Sequence, residues 1–268
     1  MLTDILADLL GTHQVERVGR VQGLWQGYGE VARYRAGNRS VIVKHIRPPA
    51  DAHPRKLASY EHEEAWYRHW SPHCRARVPT FLGAYADAMQ RVLVLEDLAT
   101  AGFDRPAVEV APCVDWLARL HACFLGAEPL GLWPVGTYWH LATRSEELER
   151  MGNAALRREA PTLDRALRLA RHQTIVHGDA KPANFLACAT GEVAAVDFQY
   201  TGRGPGVRDL AYLLHPRIDS RLVDRYFVRL RQELSPTVDG AALEAEWRNL
   251  LPMAHRDFLR FLDGWTRP

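Results

Sequence analysis

The stretch His177-Gly-Asp179-Ala-Lys181-Pro-Ala-Asn184 concentrates chemically active side chains, and Asp197 follows thirteen residues later in Val-Asp-Phe-Gln. The stretch lies between two short β-rich segments, so we predict that it is a loop. One carboxylate in such a set can accept a proton from an attacking hydroxyl. An amide oxygen and a second carboxylate can hold Mg²⁺, which prefers oxygen ligands. Lys181 adds positive charge beside the first acid, where a transferred phosphoryl group builds negative charge.

The series resembles the catalytic loop of the protein-kinase-like superfamily, in the HGDxxxxN form of aminoglycoside phosphotransferases and choline kinases. The resemblance implies that Asp179 is the catalytic base, with Lys181 beside it, and that Asn184 and Asp197 are metal ligands. Asp179 and Asp197 are 18 residues apart, a spacing similar to that in protein kinases. In the alternative interpretation, Asp179 and Asn184 only shape a turn and Asp197 caps a strand, which leaves the matches upstream unexplained.

The first hundred residues are rich in predicted strands. Alternating apolar residues and turn sequences predict strands at 15–21, 31–35, 40–46, 80–85 and 91–96. The turn Ala36-Gly37-Asn38 joins the second and third strands as a hairpin. A helical pattern covers residues 54–70, after Pro48 and Pro49 stop the third strand.

The third strand and the following helix contain candidate nucleotide-binding residues. Lys44 ends Val41-Ile-Val-Lys44, which resembles the strand lysine of kinases, and the resemblance implies that it binds the α- and β-phosphates of ATP. Its acidic partner is one of Glu61, Glu63 and Glu64. Glu63 best matches the E-x-x-F-Y pattern of ecdysteroid-kinase-like relatives, and the alternative is an acid on the helix surface.

Two further segments complete the predicted nucleotide site. Val92-Leu-Val-Leu-Glu96-Asp97-Leu98 resembles the strand and hinge that hold adenine, and backbone groups from Glu96 to Leu98 are expected to bind the base. The turn Gly27-Tyr-Gly29 is expected to lie over the phosphates, although it departs from G-x-G-x-x-G. An ordinary hairpin turn is the alternative for these two glycines.

The rest of the chain has a helical texture. Helices are predicted at 111–124, 145–158, 161–172, 207–214, 220–233 and 240–261. We therefore predict an α+β, bilobal protein-kinase-like fold, with a small β-rich nucleotide-binding lobe at 1–97 and a larger, mainly helical catalytic and substrate-binding lobe at 98–268. By resemblance, Asp209 in Asp-Leu-Ala braces the catalytic loop, and His121 is expected to be a packed core residue.

Composition limits the partners and the location. A hydrophobic fraction of 47% and a charged fraction of 25% are typical of soluble globular proteins. The net charge of +2 gives no case for nucleic acid or membrane as the main partner. The four cysteines form no CxxC pair, and residues 1–10 resemble a short amphipathic helix more than a signal peptide. We expect a cytoplasmic protein.

The distribution of lysine is unusual. The chain has 31 arginines and three lysines, which a bias in codon usage explains. Two of these lysines, Lys44 and Lys181, occupy positions where kinases use lysine. Lys56 has no predicted role, so a Lys56→Arg substitution is expected to be nearly silent.

The sequence predicts an ATP- and Mg²⁺-dependent kinase that phosphorylates a hydroxyl of a small molecule. A protein kinase is an alternative, but only eleven residues separate Asp197 from Asp209 and no A-P-E follows. The other alternative is a pseudokinase that only binds nucleotide. Residues 101–171 contain nine acids and nine arginines, which neither indicates nor excludes an acidic acceptor pocket. Trp133, Tyr138 and Trp139 either stack on the acceptor or pack in the core.

Overall fold

A five-stranded antiparallel sheet forms the first part of the protein, in a computed structural model that describes residues 1–266. The strands are β1 (Val15–Gly23), β2 (Gly29–Ala36), β3 (Arg39–Ile46), β4 (Phe81–Ala86) and β5 (Arg91–Glu96). Their order in the sheet is β1-β2-β3-β5-β4, with every neighbouring pair antiparallel. The five predicted strands are thereby confirmed, with ends that differ by up to two residues.

The two faces of this sheet have different partners, because successive residues of a strand point to opposite sides. One face packs against helix α1 (Leu2–Leu10) around the fully buried Leu6. The sheet residues of this apolar cluster are Ala32, Tyr34, Val41, Val43, Val92 and Val94. Their neighbours along the strands, including Val31, Ile42 and Lys44, line a cavity on the other face.

Helix α2 (Pro54–Ala65) crosses from the sheet toward the rest of the chain. It begins with proline, whose missing N–H costs nothing at a helix start, and the imidazole of His53 accepts a hydrogen bond from the Arg55 N–H. The helix continues as a wider turn over Trp66–Trp70, where Trp66 and Tyr67 are fully buried. The predicted helix at 54–70 is therefore present, with a change of winding in its last five residues.

Helices dominate the remaining part. They are α3 (Val110–Cys123), α4 (Ser145–Arg150), α5 (Ala154–Arg168), α6 (Val207–Leu213), α7 (Ser220–Glu233) and α8 (Gly240–Trp265). Helix α3 packs on α7, and α8 packs on α4, α5 and α6. Five short strands form two small sheets between them: β6 (Arg105–Pro106), β7 (Thr174–Val176), β8 (Phe185–Ala187), β9 (Val193–Ala195) and β10 (Gly202–Gly204).

This arrangement confirms the predicted α+β class, with a β-sheet region followed by a helical region. The predicted boundary between residues 97 and 98 falls directly after β5, where a short turn covers Leu98–Ala101.

Within the described part of the chain, no helix combines the length and the apolar character needed to cross a membrane.

The helices predicted at 145–158 and 161–172 are wrong in their limits. The chain breaks instead at 151–153, where the Asn153 side chain accepts a hydrogen bond from the Leu156 N–H and starts α5. Pro161 was expected to begin a helix, but it lies exposed inside α5. The helix continues past it because Leu156, Ala160, Leu163 and Leu167 form a buried stripe at helical spacing. The short strands β6, β8 and β10 were not predicted.

The packing of α1 generates a test of the fold. Truncating the fully buried Leu6 by Leu6→Ala should lower the free energy of unfolding by about 2–5 kcal/mol, because it leaves a cavity between α1 and the sheet. Val18→Ala on β1 is the control, since Val18 is exposed and should shift stability by no more than about 0.5 kcal/mol. Urea denaturation measures both, and equal stability of the two variants would contradict the predicted packing.

Candidate active site

A buried ion pair joins the sheet to α2. The Nζ of Lys44 lies 2.6 Å from Oε2 of Glu63, and both side chains are more than nine-tenths buried. Glu61 and Glu64 instead contact Arg91 at the outer end of the sheet, and Glu64 also pairs with Arg68. The structure therefore confirms Glu63 as the partner of Lys44 among the three acids considered.

Asp197 brings a second carboxylate to the same lysine. Its Oδ1 lies 3.6 Å from the Lys44 Nζ. Burial would lower the pKa of Lys44, but Glu63 and Asp197 outweigh that effect and the pKa is raised. Burial would conversely raise the pKa of Asp197, yet Lys44, Lys56 and Lys181 hold it below the ordinary value. Lys44 is therefore a firmly charged ammonium, and Asp197 a firmly charged carboxylate, beside the cavity.

The loop between β7 and β8 carries the other predicted residues. Oδ2 of Asp179 accepts hydrogen bonds from Lys181 Nζ at 2.8 Å and from Asn184 Nδ2 at 3.1 Å. The same Asn184 nitrogen also donates to the Asp179 carbonyl at 2.8 Å. Burial raises the pKa of the Asp179 carboxyl, with the Lys181 charge opposing the shift. Asp179 is thus a buried, oriented carboxylate whose proton affinity is increased.

Asp209 fixes the backbone of this loop through hydrogen bonds. Its carboxylate accepts hydrogen bonds from the backbone N–H groups of His177 at 2.6 Å and Gly178 at 2.9 Å, and it contacts His121 Nε2 at 3.1 Å. His121 is fully buried and also contacts the Tyr226 hydroxyl at 2.7 Å. The structure therefore confirms the bracing role expected for Asp209 and the core position expected for His121.

The donor set near Asp197 fits a divalent cation. Asp197 has a positive φ of 69°, and its Oδ1 is buried without a hydrogen-bond partner in the described structure. The amide nitrogen of Asn184 is committed to Asp179, which leaves the amide oxygen as its remaining polar atom. Residues 1–266 contain no cluster of three His, Cys, Asp or Glu suited to a metal. Any cation here would need ligands from a bound nucleotide as well, as is usual for Mg²⁺.

A cavity of about 380 Å³ lies between the sheet and the helical region. Its lining includes the charged residues Lys44, Glu63 and Asp197 as well as Glu96 at the end of β5 and Leu98 just after it. Its walls are mostly apolar and include Val31, Ile42, Leu95, Phe103, Leu186 and Val196. The Glu96 carboxylate is occupied by Arg77 and Thr80, so any ligand contact at this hinge falls to the backbone. These mostly apolar walls, together with the Lys44 ammonium, suit a ligand in which a flat heterocycle is joined to an anionic chain.

Gly27 and Gly29 do not line this cavity or the one beside it. Gly27 lies in the turn between β1 and β2 and Gly29 is the first residue of β2, with φ values of 75° and 149°. A side chain at Gly29 would come within 2.0 Å of the His45 carbonyl oxygen, so the close approach of β3 explains that glycine. The nearby residues that do line the cavities are at the end of β1 and in the turn: Val21, Gln22, Gly23, Leu24 and Trp25. Phosphate contact by Gly27 and Gly29 thus has no support from the geometry.

Lys56 is a site residue that the sequence did not reveal. Its Nζ donates a hydrogen bond to Gln199 Oε1, two residues beyond Asp197, and lies 4.8 Å from the Tyr60 ring centre. Burial and the neighbouring Lys44 charge lower its pKa to about 8. Its position in the first turn of α2, on the same helix face as Tyr60 and Glu63, was the available signal. All three lysines of the chain therefore lie at one site.

A second cavity, of about 250 Å³, opens on the other side of Asp197. Asp197 lines both cavities, while Asp179 and Lys181 line only the second. Of the three aromatic residues considered for acceptor binding, Tyr138 lines this cavity. Trp139 is fully buried in the core, and Trp133 stacks on Tyr200. Asp197 therefore borders both the cavity lined by Lys44 and the second cavity, which Asp179 and Lys181 line.

Comparison with known proteins identifies the family. The model of the phosphotransferase enzyme family matches residues 20–250, so the chain belongs to this family of phosphotransferases. No curated protein matches the sequence. Family membership supports action as a small-molecule phosphotransferase.

Solved structures share the fold at low sequence identity. An aminoglycoside-3′-phosphotransferase of type VIII is 22% identical, with a TM-score of 0.53 over 94% of this chain and 98% of that one. A microcompartment-associated aminopropanol kinase is 16% identical, with a TM-score of 0.58 over 98% and 94%. A macrolide 2′-phosphotransferase from Brachybacterium faecium is 17% identical, with a TM-score of 0.56 over 96% and 91%. The predicted protein-kinase-like fold is confirmed.

The Lys44 ion pair predicts a sensitivity to the shape of the cation. Lys44→Arg should lower kcat/KM for ATP about a hundredfold, because a planar guanidinium cannot occupy the position of a compact ammonium between Glu63 and Asp197. Arg39→Lys, an exposed exchange at the start of the same strand, is the control and should leave the kinetics unchanged. Wild-type ATP kinetics in Lys44→Arg would exclude a role in nucleotide binding.

The position of Lys56 reverses the expectation that Lys56→Arg is silent. The longer, planar group cannot keep both the Gln199 contact and the position over Tyr60, so kcat should fall by about tenfold or more. Steady-state ATP turnover, measured with an acceptor identified by screening, tests this effect. Arg39→Lys is again the control. Turnover equal to wild type would show that Lys56 is a bystander.

Proposed function

We propose that this protein transfers the γ-phosphoryl group of ATP to a hydroxyl of a small molecule, with Asp179 as the catalytic base. The observation that carries the proposal is the position of Asp179, whose buried carboxylate lies where the acceptor cavity meets Asp197. The hydroxyl proton passes to Asp179, the hydroxyl oxygen forms a bond to the γ-phosphorus, and the bond to ADP breaks.

The other residues position the nucleotide and balance charge. Lys44, fixed by Glu63, binds the α- and β-phosphates, and backbone groups from Glu96 to Leu98 bind the adenine. Lys181 lies 2.8 Å from Asp179 and offsets charge on the phosphoryl group during transfer. Asn184 and Asp197 would hold Mg²⁺, which would neutralise charge on the phosphate oxygens when bound.

A small-molecule acceptor is favoured over a protein. The chain between Asp197 and Asp209 forms β10, which pairs with β7, and then enters α6. It is therefore committed to the fold and offers no extended segment for docking a peptide. A pseudokinase, the other alternative, needs no oriented base, whereas Asp179 is buried and bonded to both Lys181 and Asn184.

Replacing Asp179 tests the proposed base. Asp179→Asn keeps the size of the side chain but cannot accept the proton, so kcat should fall by about 10²–10⁴-fold. Binding of ADP, followed by calorimetry, should remain close to wild type, because Asp179 does not line the larger cavity.

The acceptor is sought with an ATP-consumption screen that includes aminoglycosides, choline, sugars, sterols and hydroxy acids. Unchanged turnover in Asp179→Asn would refute the proposed mechanism. Absence of ATP turnover with every acceptor, together with normal ADP binding, would favour the pseudokinase.

A further inference from the structure

We propose that the acceptor carries an anionic group, a carboxylate or a phosphate, bound beside Arg55 in the second cavity. This inference rests on the proposed phosphotransferase function, because it assumes that the second cavity holds the acceptor. The cavity is surrounded by residues 22–25 at the end of β1 and the turn after it, the start of α2, the proposed catalytic loop, and Trp265 at the end of α8. Asp179 lies at one side, so an acceptor bound here presents its hydroxyl to the proposed base.

The charges that line the cavity do not suit a cationic acceptor. Apart from Asp179 and Asp197, no acidic residue of the described chain lines it. The basic residues in its wall are His53, Arg55, Lys56, Arg144 and Lys181. Asp179 and Asp197 already have Lys181 and Lys44 within 4 Å. An acceptor with several ammonium groups would therefore meet uncompensated positive charge, which repels it.

Arg55 and Arg144 concentrate this positive charge. Arg144 is buried. Its Nε donates a hydrogen bond to the Tyr138 carbonyl at 2.7 Å, and its Nη1 donates one to the Glu147 carboxylate at 3.1 Å. Arg55 is half-buried, and its one hydrogen bond from the guanidinium within residues 1–266 goes to the Thr143 carbonyl. Burial and the charge of Arg144 lower the pKa of Arg55. Glu147 can offset one of the two guanidinium charges, and a bound anion would offset the other.

The aromatic residues around the cavity also disfavour a cationic acceptor. Aromatic faces can bind a cationic ligand, as in cages for quaternary ammonium groups. Here the Arg144 guanidinium already lies over these faces, 4.1 Å from the Tyr138 ring centre and 5.5 Å from that of Trp265. A choline-like group would have to compete with this cation. Trp25 and Trp265, each about half exposed, remain available for the apolar part of an acceptor.

Binding of matched probes tests the charge preference without requiring turnover. Calorimetry on the protein loaded with ADP and Mg²⁺ compares 3-phenyllactate with its methyl ester and with phenylalaninol, and glycerol 3-phosphate with glycerol. The anionic member of at least one comparison should bind about tenfold or more tightly than its neutral or cationic counterparts, as charge-assisted hydrogen bonds provide. The pair that shows the preference identifies the group as carboxylate or phosphate.

Arg55→Ala then assigns the preference to a residue. It should weaken binding of the preferred anion about tenfold or more and leave the neutral counterpart unchanged. Arg39→Ala, which removes an exposed arginine at the start of β3, is the matched control and should change neither. Thermal unfolding monitors the fold of both variants, and Arg55→Lys, which retains the charge, should restore part of the affinity.

Equal or absent binding of anionic and uncharged probes would overturn the proposal, as would tighter binding of phenylalaninol. An anion preference that Arg55→Ala does not reduce would also overturn it. These outcomes are independent of the Asp179→Asn experiment, because they measure binding to the ADP complex. A protein that binds anions but transfers no phosphoryl group would refute the proposed function and leave the charge preference in place.

Discussion

The ammonium of Lys44 is the point at which three separate parts of the chain meet. It extends from β3, pairs with Glu63 of α2, and lies near Asp197, which follows β9. Burying an ion pair costs desolvation energy that its Coulombic attraction often fails to recover, so an apolar cluster would stabilise this junction at least as well. Its value is to hold a compact positive charge at the edge of the first cavity, which we propose to hold the nucleotide. Because the three parts lie far apart in sequence, only the complete fold creates that charge arrangement.

Asp209 imposes a comparable constraint on the catalytic loop. Its carboxylate is fully buried in α6 and accepts the N–H groups of His177 and Gly178. Gly178 adopts a φ of 81°, and a Cβ there would come within 2.0 Å of the Tyr200 carbonyl oxygen. The backbone path into Asp179 therefore depends on a glycine and on a buried acceptor thirty residues further on. The orientation of the proposed base thus depends on this backbone packing as well as on its hydrogen bonds with Lys181 and Asn184.

Prediction from the sequence succeeded where a residue's role depends on local pattern. Alternation identified the five large strands, and the pattern after β3 singled out Glu63 among three neighbouring acids. It failed where tertiary contacts overrode a local signal. Pro161 signals a helix start, yet a buried apolar stripe carries α5 through it. The expected phosphate contact of Gly27 and Gly29 stays a prediction, and the structure adds only that a side chain at Gly29 would meet the His45 carbonyl.

The sequence alone determined the class of fold and the family, because these depend on residue types at short, regular spacings. It also predicted the catalytic roles of the series from Asp179 to Asp197. It also showed that the chain has only three lysines, compared with 31 arginines. Only the tertiary structure revealed that Lys56 joins the other two, since its neighbour Gln199 lies more than a hundred residues away. The cationic lining of the second cavity is likewise tertiary. Of the basic residues in that lining only Arg144 belongs to residues 101–171, so the composition of that segment could not reveal which charges face the same space.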